Sequence, residues 1–325
     1  MTEIMPVSTD VDPELADAVT TLPDLDLADV DGGRRTLDSI VAAAGPADTT
    51  GVTVEEWLVP GAPGGPEVPV RIHTPDMCPD GNPAGRPVVL EIHGGGFVLG
   101  SAAHSEAFAA AVARATGAVV ISVDYRLAPE HPYPAAADDC YAVLEWIASG
   151  AACLDIDPDR VVVLGDSAGG ALAATVALRA RDEGGPRIAL QALLEPALDD
   201  RLETASMRGG GATAVWDNRK AAQSWRHYLG GQEPTEQSVP ARRAGLTGLP
   251  PTYLTVNELD PLRDEGLVYA QRLLQAGVRV ELHCWPGVFH GFTLVRGAGA
   301  TRRAARSLYD AIVRATARTP VLDHD

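Results

Sequence analysis

From about residue 86 onward, short apolar runs alternate with amphipathic stretches along the chain. The runs at 87–93, 118–124, 161–165, 188–194, 252–257 and 279–284 are rich in Val, Ile and Leu, and several are almost continuously apolar. That is the pattern of strands covered on both faces. Between them, helical periodicity marks 104–116, 135–149, 168–182, 262–276 and 301–317. The alternation predicts an α/β class: a mostly parallel central sheet with helices on both faces. Two regions break the rhythm. Residues 1–50 carry short acidic helix candidates, such as 12–20 behind the cap signals Asp10 and Asp12, and residues 199–235 hold a glycine turn at 209–211 followed by a helix-like run at 216–229. The chain is therefore divided into an N-terminal cap segment, 1–50, and a catalytic body, 51–325, with a cap insertion at about 199–235. Both additions are placed over the active edge of the sheet.

Composition narrows the function. With 325 residues and 46% hydrophobic positions the chain can bury a large core. Its 26 basic and 44 acidic residues leave a net charge of −18, which disfavours nucleic acid and anionic membrane surfaces as partners. Lys220 is the only lysine, so almost no amine is available for Schiff-base or phosphate-loop chemistry. The four cysteines, Cys78, Cys140, Cys153 and Cys284, are widely spaced without a CxxC pair, which points to reduced thiols rather than a disulfide scaffold or zinc site. The first residues lack the basic and apolar regions of a signal peptide, and no apolar run reaches membrane-spanning length. A cytoplasmic location is the resulting expectation.

The strongest chemical signal is Gly165-Asp166-Ser167-Ala168-Gly169, a GxSxG that directly follows one predicted strand and directly precedes a helix. Small residues there permit the tight turn that lifts a serine hydroxyl out of a sheet, and the helix N-terminus favours developing negative charge. The bland alternative is an ordinary glycine-rich strand–helix turn. A second signal, His93-Gly94-Gly95-Gly96-Phe97, closes the first strong strand. Its glycines allow close backbone approach, with N–H groups free to meet an oxyanion. A phosphate loop is the competing reading, but neither GK[ST] nor GxGxxG spacing is present.

A serine nucleophile needs a base, and the base an orienting acid; in the hydrolase order both follow the serine, acid first. Asp260 follows the run 252–257 and precedes Pro261, a residue suited to a helix start, while Asp264 and Glu265 fit the first turn of that helix. Of the histidines beyond Asp260, His283 lies inside a strand and His324 in the tail. His290, in the loop Phe289-His290-Gly291-Phe292, is the candidate base.

Taken together, HGGGF, GDSAGG, the DPLRDEG around Asp260 and the FHGF around His290 resemble the hormone-sensitive-lipase-like (bacterial family IV) esterases of the α/β-hydrolase superfamily, over about residues 55–315. The segment 124–139, DYRLAPEHPYPAAADD, is also similar to theirs. The resemblance implies Ser167 as nucleophile, Asp260 as acid and His290 as base. It implies oxyanion donors at the N–H groups of Gly95, Gly96 and Ala168, with His93 and Gly94 supporting the loop. It implies hydrolysis of short- to medium-chain carboxylic esters without a cofactor or metal, beneath a cap, by a chain that could form a homodimer. Glu195, in LLEP, departs from the aromatic residue that many relatives carry there.

Alternatives from other classes are an arylformamidase-like amidase and a non-catalytic small-molecule receptor on the same fold. Plant gibberellin receptors resemble the family but lack a full triad, whereas all three positions are filled here. Phe97, Asp166, Trp216, Trp225, Tyr228, Phe289 and Phe292 are candidates to line the substrate pocket, and core packing explains the aromatic ones equally well. Protonation of His290 should end activity through roughly pH 6–7. Residues 1–50 hold 11 acidic and 2 basic residues. This acidity either favours neutral and cationic esters over anionic ones or merely solvates the segment.

Overall fold

The computed structural model describes residues 11–22, 24–77, 85–150, 154–209 and 215–318. In chain order the elements are α1 (Ala16–Thr21), α2 (Val30–Ala43), β1 (Val52–Val59), β2 (Val68–Pro75), β3 (Arg86–Ile92), α3 (Glu106–Thr116), β4 (Val119–Val123), α4 (Ala135–Ala148), β5 (Ile156–Asp166), α5 (Ala168–Glu183), β6 (Leu190–Leu194), α6 (Ala205–Arg208), α7 (Asn218–Leu229), β7 (Thr252–Asn257), α8 (Arg263–Gln275), β8 (Val280–Trp285) and α9 (Gly299–Thr316). The strands form one sheet in the order β1-β2-β4-β3-β5-β6-β7-β8. It is parallel from β4 through β8, as the alternation of runs predicts.

Neighbouring residues of one strand serve different layers. Val88 and Leu90 of β3 join the cluster holding Val143 and Leu144 of α4 and Leu172 of α5. Val89 points the other way, into a cluster with Ala109 and Ala113 of α3 and Leu308 and Ile312 of α9. Period-two alternation between two apolar layers is why these runs are apolar throughout. Among the described residues no helix is long and apolar enough to cross a membrane.

The first two strands form an antiparallel extension that the apolar pattern does not mark. β1 carries Glu55 and Glu56 with its middle exposed, and the Gly- and Pro-rich turn before β2 reads as loop. Polar edge strands lack the continuous apolar signature of the interior. Near the N-terminus, Asp12 accepts the Glu14 N–H and starts a short 3₁₀ turn that runs into α1, and Asp29 caps α2 through the Gly32 N–H. Asp10, Cys78, Cys153, Gly210, Gly211 and His324 lie outside the described residues.

The acidic segment is clipped to the body by polar contacts. Arg34 makes a two-pronged contact with Glu130 at 2.6 and 2.8 Å and donates to the Val98 and Ala128 carbonyls. Lys220 of α7, only 1% exposed, places its Nζ 2.5 Å from Asp24. Arg219 reaches both Asp24 and Asp26, and His227 bonds the Leu27 carbonyl. Asp38 meets His104, and Asp48 meets Arg114. Much of the charge concentrated near the N-terminus is thus matched by cations and helix caps.

Candidate active site

Because β3 through β8 run parallel, with β4 beside β3, the residues following them emerge at one edge of the sheet, where open α/β sheets bind ligands. His93 follows β3, Ser167 follows β5, Glu195 follows β6, Asp260 follows β7 and His290 follows β8. The structure brings all five together.

Ser167 occupies the turn from β5 into α5 with φ 55° and ψ −115°, in the left-handed half of backbone space that a side chain disfavours. The turn is held because Ser167 N–H donates to the Leu194 carbonyl and its carbonyl accepts from Ala171 and Ala197. Any Cβ on Gly165 would overlap the Gly169 carbonyl, and one on Gly169 would overlap the Ile92 carbonyl. The GxSxG glycines are therefore required by close backbone approach. Ser167 Oγ lies 3.0 Å from His290 Nε2, and His290 Nδ1 lies 2.7 Å from Asp260 Oδ2. Asp260 Oδ1 accepts the Leu262 N–H, so both carboxylate oxygens are fixed. The three side chains are buried, at 4, 6 and 2% exposure for Ser167, His290 and Asp260. Such a line can move the hydroxyl proton to the imidazole and hold the resulting imidazolium.

The glycine loop lies against this turn: a Cβ on Gly94 would stand 3.5 Å from that of Ser167. Gly95 and Gly96 have φ of 116° and 61°. The Gly95 carbonyl accepts from Val98 and Leu99, and the Gly96 carbonyl accepts from Ser224 Oγ at 2.8 Å. Among the described residues the N–H groups of Gly95 and Gly96 meet no acceptor. Ala168 opens α5, where an N–H has no partner within its own helix. His93 stacks on Tyr125 at 4.2 Å and bonds the Gly94 carbonyl through Nδ1, and Tyr125 donates to the His93 carbonyl. Burial pushes the His93 imidazole down to about 4, so it is a neutral brace for the loop.

The aromatic candidates separate into two groups. Trp216 is central: its ring lies 5.5 Å from that of His290 and against Gly96. Phe97 is buried, stacked on Tyr228 at 4.1 Å and tilted against Trp225. Phe289 and Phe292 pack into a cluster with Leu15, Leu259 and Val288. These four residues and Trp225 sit in packed surroundings, so of the aromatic set only Trp216 is brought onto the Ser167 line. Asp166 is brought against Gly94 of the glycine loop. Leu27, which sequence reasoning missed, reaches Gly96 from the N-terminal segment, and Ser224 reaches it from α7. No local motif marks either one, since both are placed by tertiary docking. A cavity of about 300 Å³, lined by residues including Asp199, Arg201, Glu265, Tyr269 and Arg272, shares no residue with the Ser167 line.

Burial alone would lower the His290 imidazole, but the Asp260, Glu195 and Asp166 carboxylates outweigh it and raise it above its ordinary value. Burial raises Asp166 to about 6 and Glu195 to about 8. Among the described residues Glu195, Asp260 and His290 are the one group close enough to share a metal ion. The atoms that could ligate are engaged in the bonds to Gly291 N–H and between Asp260 and His290.

A family described as alpha/beta hydrolase fold matches residues 89–294. The chain is 41% identical over 251 residues to Esterase LipI of Mycobacterium tuberculosis, covering 76% of this chain and 78% of that one. It is 37% identical over 323 residues to Carboxylesterase NlhH of the same species, covering 94% and 99%. Among solved structures, a bacterial heroin esterase superposes with a TM-score of 0.90 at 47% identity, covering 95% of this chain and 99% of that one. The chain belongs to the α/β-hydrolase family. Within it, the chain is a hormone-sensitive-lipase-like esterase, a carboxylic ester hydrolase.

Proposed function

We propose that the chain hydrolyses short- to medium-chain carboxylic esters through an acyl-enzyme on Ser167. The observation that carries this reading is the continuous line from Ser167 Oγ through His290 to Asp260. Ser167 Oγ attacks the ester carbonyl as His290 Nε2 takes its proton. Asp260 fixes the imidazole tautomer and stabilises its cation. The N–H groups of Gly95, Gly96 and Ala168 receive the oxyanion. His290 then protonates the departing alcohol, and water, activated by the same imidazole, releases the acid. Leu27 and Trp216, which both meet Gly96, form the wall of the acyl or alcohol site, and the N-terminal segment with α7 serves as the cap. A wall of bulky side chains this close to the glycine loop favours small groups on the side of the ester that it faces.

Rapid mixing with an aryl acetate tests the covalent step. One equivalent of phenol should appear in a burst before steady turnover, and a linear trace at saturating substrate, with a series of leaving groups giving different rates, would contradict a rate-limiting deacylation. An acyl-chain series should peak at short to medium lengths; a peak at long-chain lipids overturns the preference. An N-formyl aryl amide turned over faster than every ester would favour the amidase reading.

The pH profile follows from the site's charges. His290 must be neutral to act as base, and the surrounding carboxylates raise its pKa. The acidic limb of kcat/KM should therefore have its midpoint above the ordinary histidine value of about 6.5, higher than the roughly pH 6–7 window expected from an unperturbed imidazole. Activity rises with pH through that limb. A midpoint at or below about 6.5 in a profile of an aryl acetate contradicts the assignment.

A further inference from the structure

Two carboxyls beside the Ser167 line have no part in the ester reaction above. Asp166 ends β5, and Glu195 follows Leu194, the residue paired with Asp166 across the sheet. Glu195 is 4% exposed and holds φ at 37°, a conformation that a side chain adopts only when its surroundings impose it. Its N–H donates to the Thr255 carbonyl. Its Oε1 accepts the Gly291 N–H at 2.8 Å, and its Oε2 accepts from Asn257 Nδ2, which also donates to the Phe289 carbonyl. Glu195 and Asn257 thus hold the residues on either side of His290. Glu195 Oε1 itself lies 4.0 Å from His290 Nδ1. Asp166 and Glu195 thus end adjacent strands, both buried and each within electrostatic reach of the other and of His290. Two buried carboxylates so placed repel, which favours one of them keeping its proton.

We propose that Glu195 is a positioning residue for His290, and that it shares one proton with Asp166, so that the imidazole faces a pair carrying one negative charge rather than two.

The groups facing His290 come from three places: Asp260 after β7, Glu195 after β6 and Asp166 at the end of β5. Asn257 is the neutral donor from β7. Glu91 of β3 is the next carboxyl beyond Asp166, and Glu265 of α8 the next beyond Asp260. A shared proton reconciles the structure with catalysis. Three full charges around one imidazole would hold its proton too tightly for it to act as a base near neutrality. Burial favours the protonated form of both members of the pair, and loss of the proton from one fixes it on the other.

The inference rests on His290 acting as base, and its test has one arm independent of turnover. Infrared spectra of the wild type at neutral pH should contain a protonated-carboxyl band that disappears in E195Q and again in D166N, because the remaining carboxyl ionises in each. Circular dichroism checks that both variants fold. In kinetics, each single variant retains one negative charge, so the acidic limb of kcat/KM should stay within about half a pH unit of wild type. D166N/E195Q removes the charge, and its limb should fall by about one unit or more. E195A, which leaves Gly291 without its acceptor, should lose roughly 10²-fold in kcat with KM little changed, largely restored in E195Q. A merely structural Glu195 would lower kcat without moving the limb of the double variant. Absence of a protonated-carboxyl band from the wild-type-minus-E195Q and wild-type-minus-D166N difference spectra, in which Glu91 and Glu265 cancel, or single shifts that add up to the double, overturns the shared proton. Loss of the reading on which it rests would show instead as full activity in a serine variant, with the infrared result unaffected.

Discussion

Ser167→Ala should lower kcat on an aryl acetate by up to roughly 10⁶-fold, the scale found when the serine of a Ser-His-Asp unit is removed from a protease. The substitution deletes a single atom, Oγ, which His290 Nε2 meets at 3.0 Å. The backbone bonds that hold the turn, from Ser167 N–H to Leu194 and from Ala171 and Ala197 to the Ser167 carbonyl, are untouched. Alanine tolerates the positive φ no worse than serine. Folding should therefore persist, and circular dichroism and melting should match the wild type closely. A residue of activity above the rate in water should remain, because the proposed oxyanion donors of the glycine loop are left in place. Steady-state rates normalised by active-site titration of the wild type provide the measurement. A variant within tenfold of wild type would sink the nucleophile assignment.

Gly95→Ala is the second large effect. Gly95 has φ 116°, a region closed to alanine, and an added Cβ would overlap the Leu99 carbonyl. That carbonyl cannot swing aside easily, because Val98 and Leu99 both donate back to Gly95 and close the loop on itself. The loop must shift, and with it the N–H groups of Gly95 and Gly96. Misplacing one oxyanion donor costs about 10²–10³ in kcat. KM for a small acetate should change much less, since the donors act mainly on the tetrahedral intermediate. A lowered melting temperature should accompany the loss. Gly245→Ala is the control: φ there is ordinary and nothing lies within 4 Å of the added methyl, so both rate and melting should be unchanged. Wild-type kcat in Gly95→Ala would remove this loop from the reaction.

The interior of the fold was legible in the sequence because its strands are covered on both faces. Thr252–Asn257 is the clearest case: every residue is buried, and the observed bounds coincide with the apolar run. The edge pair Val52–Val59 and Val68–Pro75 was not, because half of β1 faces water and its sequence carries the glutamates that an exposed strand tolerates. Ser167, the glycine loop, Asp260 and His290 stood out because each follows a strand and sits in a glycine- or proline-marked turn. Leu27 and Ser224 did not, since their approach to Gly96 depends on how the N-terminal segment and α7 dock. The aromatic residues were ambiguous in the sequence for the opposite reason. Phe97 and Phe289 neighbour the key motifs in sequence, yet a residue beside a turn can point into the core as readily as into the site. Glu195 was visible as an unusual residue, but its partners Asp166, Asn257 and Gly291 come from three other parts of the chain.

Ser167 and Glu195 stand at the ends of adjacent strands, and both hold backbone angles better suited to glycine. Two such angles store on the order of 1–3 kcal/mol each. A glycine at either corner would relieve that strain, but would remove the hydroxyl or the carboxyl that the proposed chemistry uses. Stability and the proposed turnover therefore pull in opposite directions at these two corners. Directed evolution toward a tougher esterase has to be scored on rate at every round, and its stabilising changes belong in the two apolar layers away from this edge.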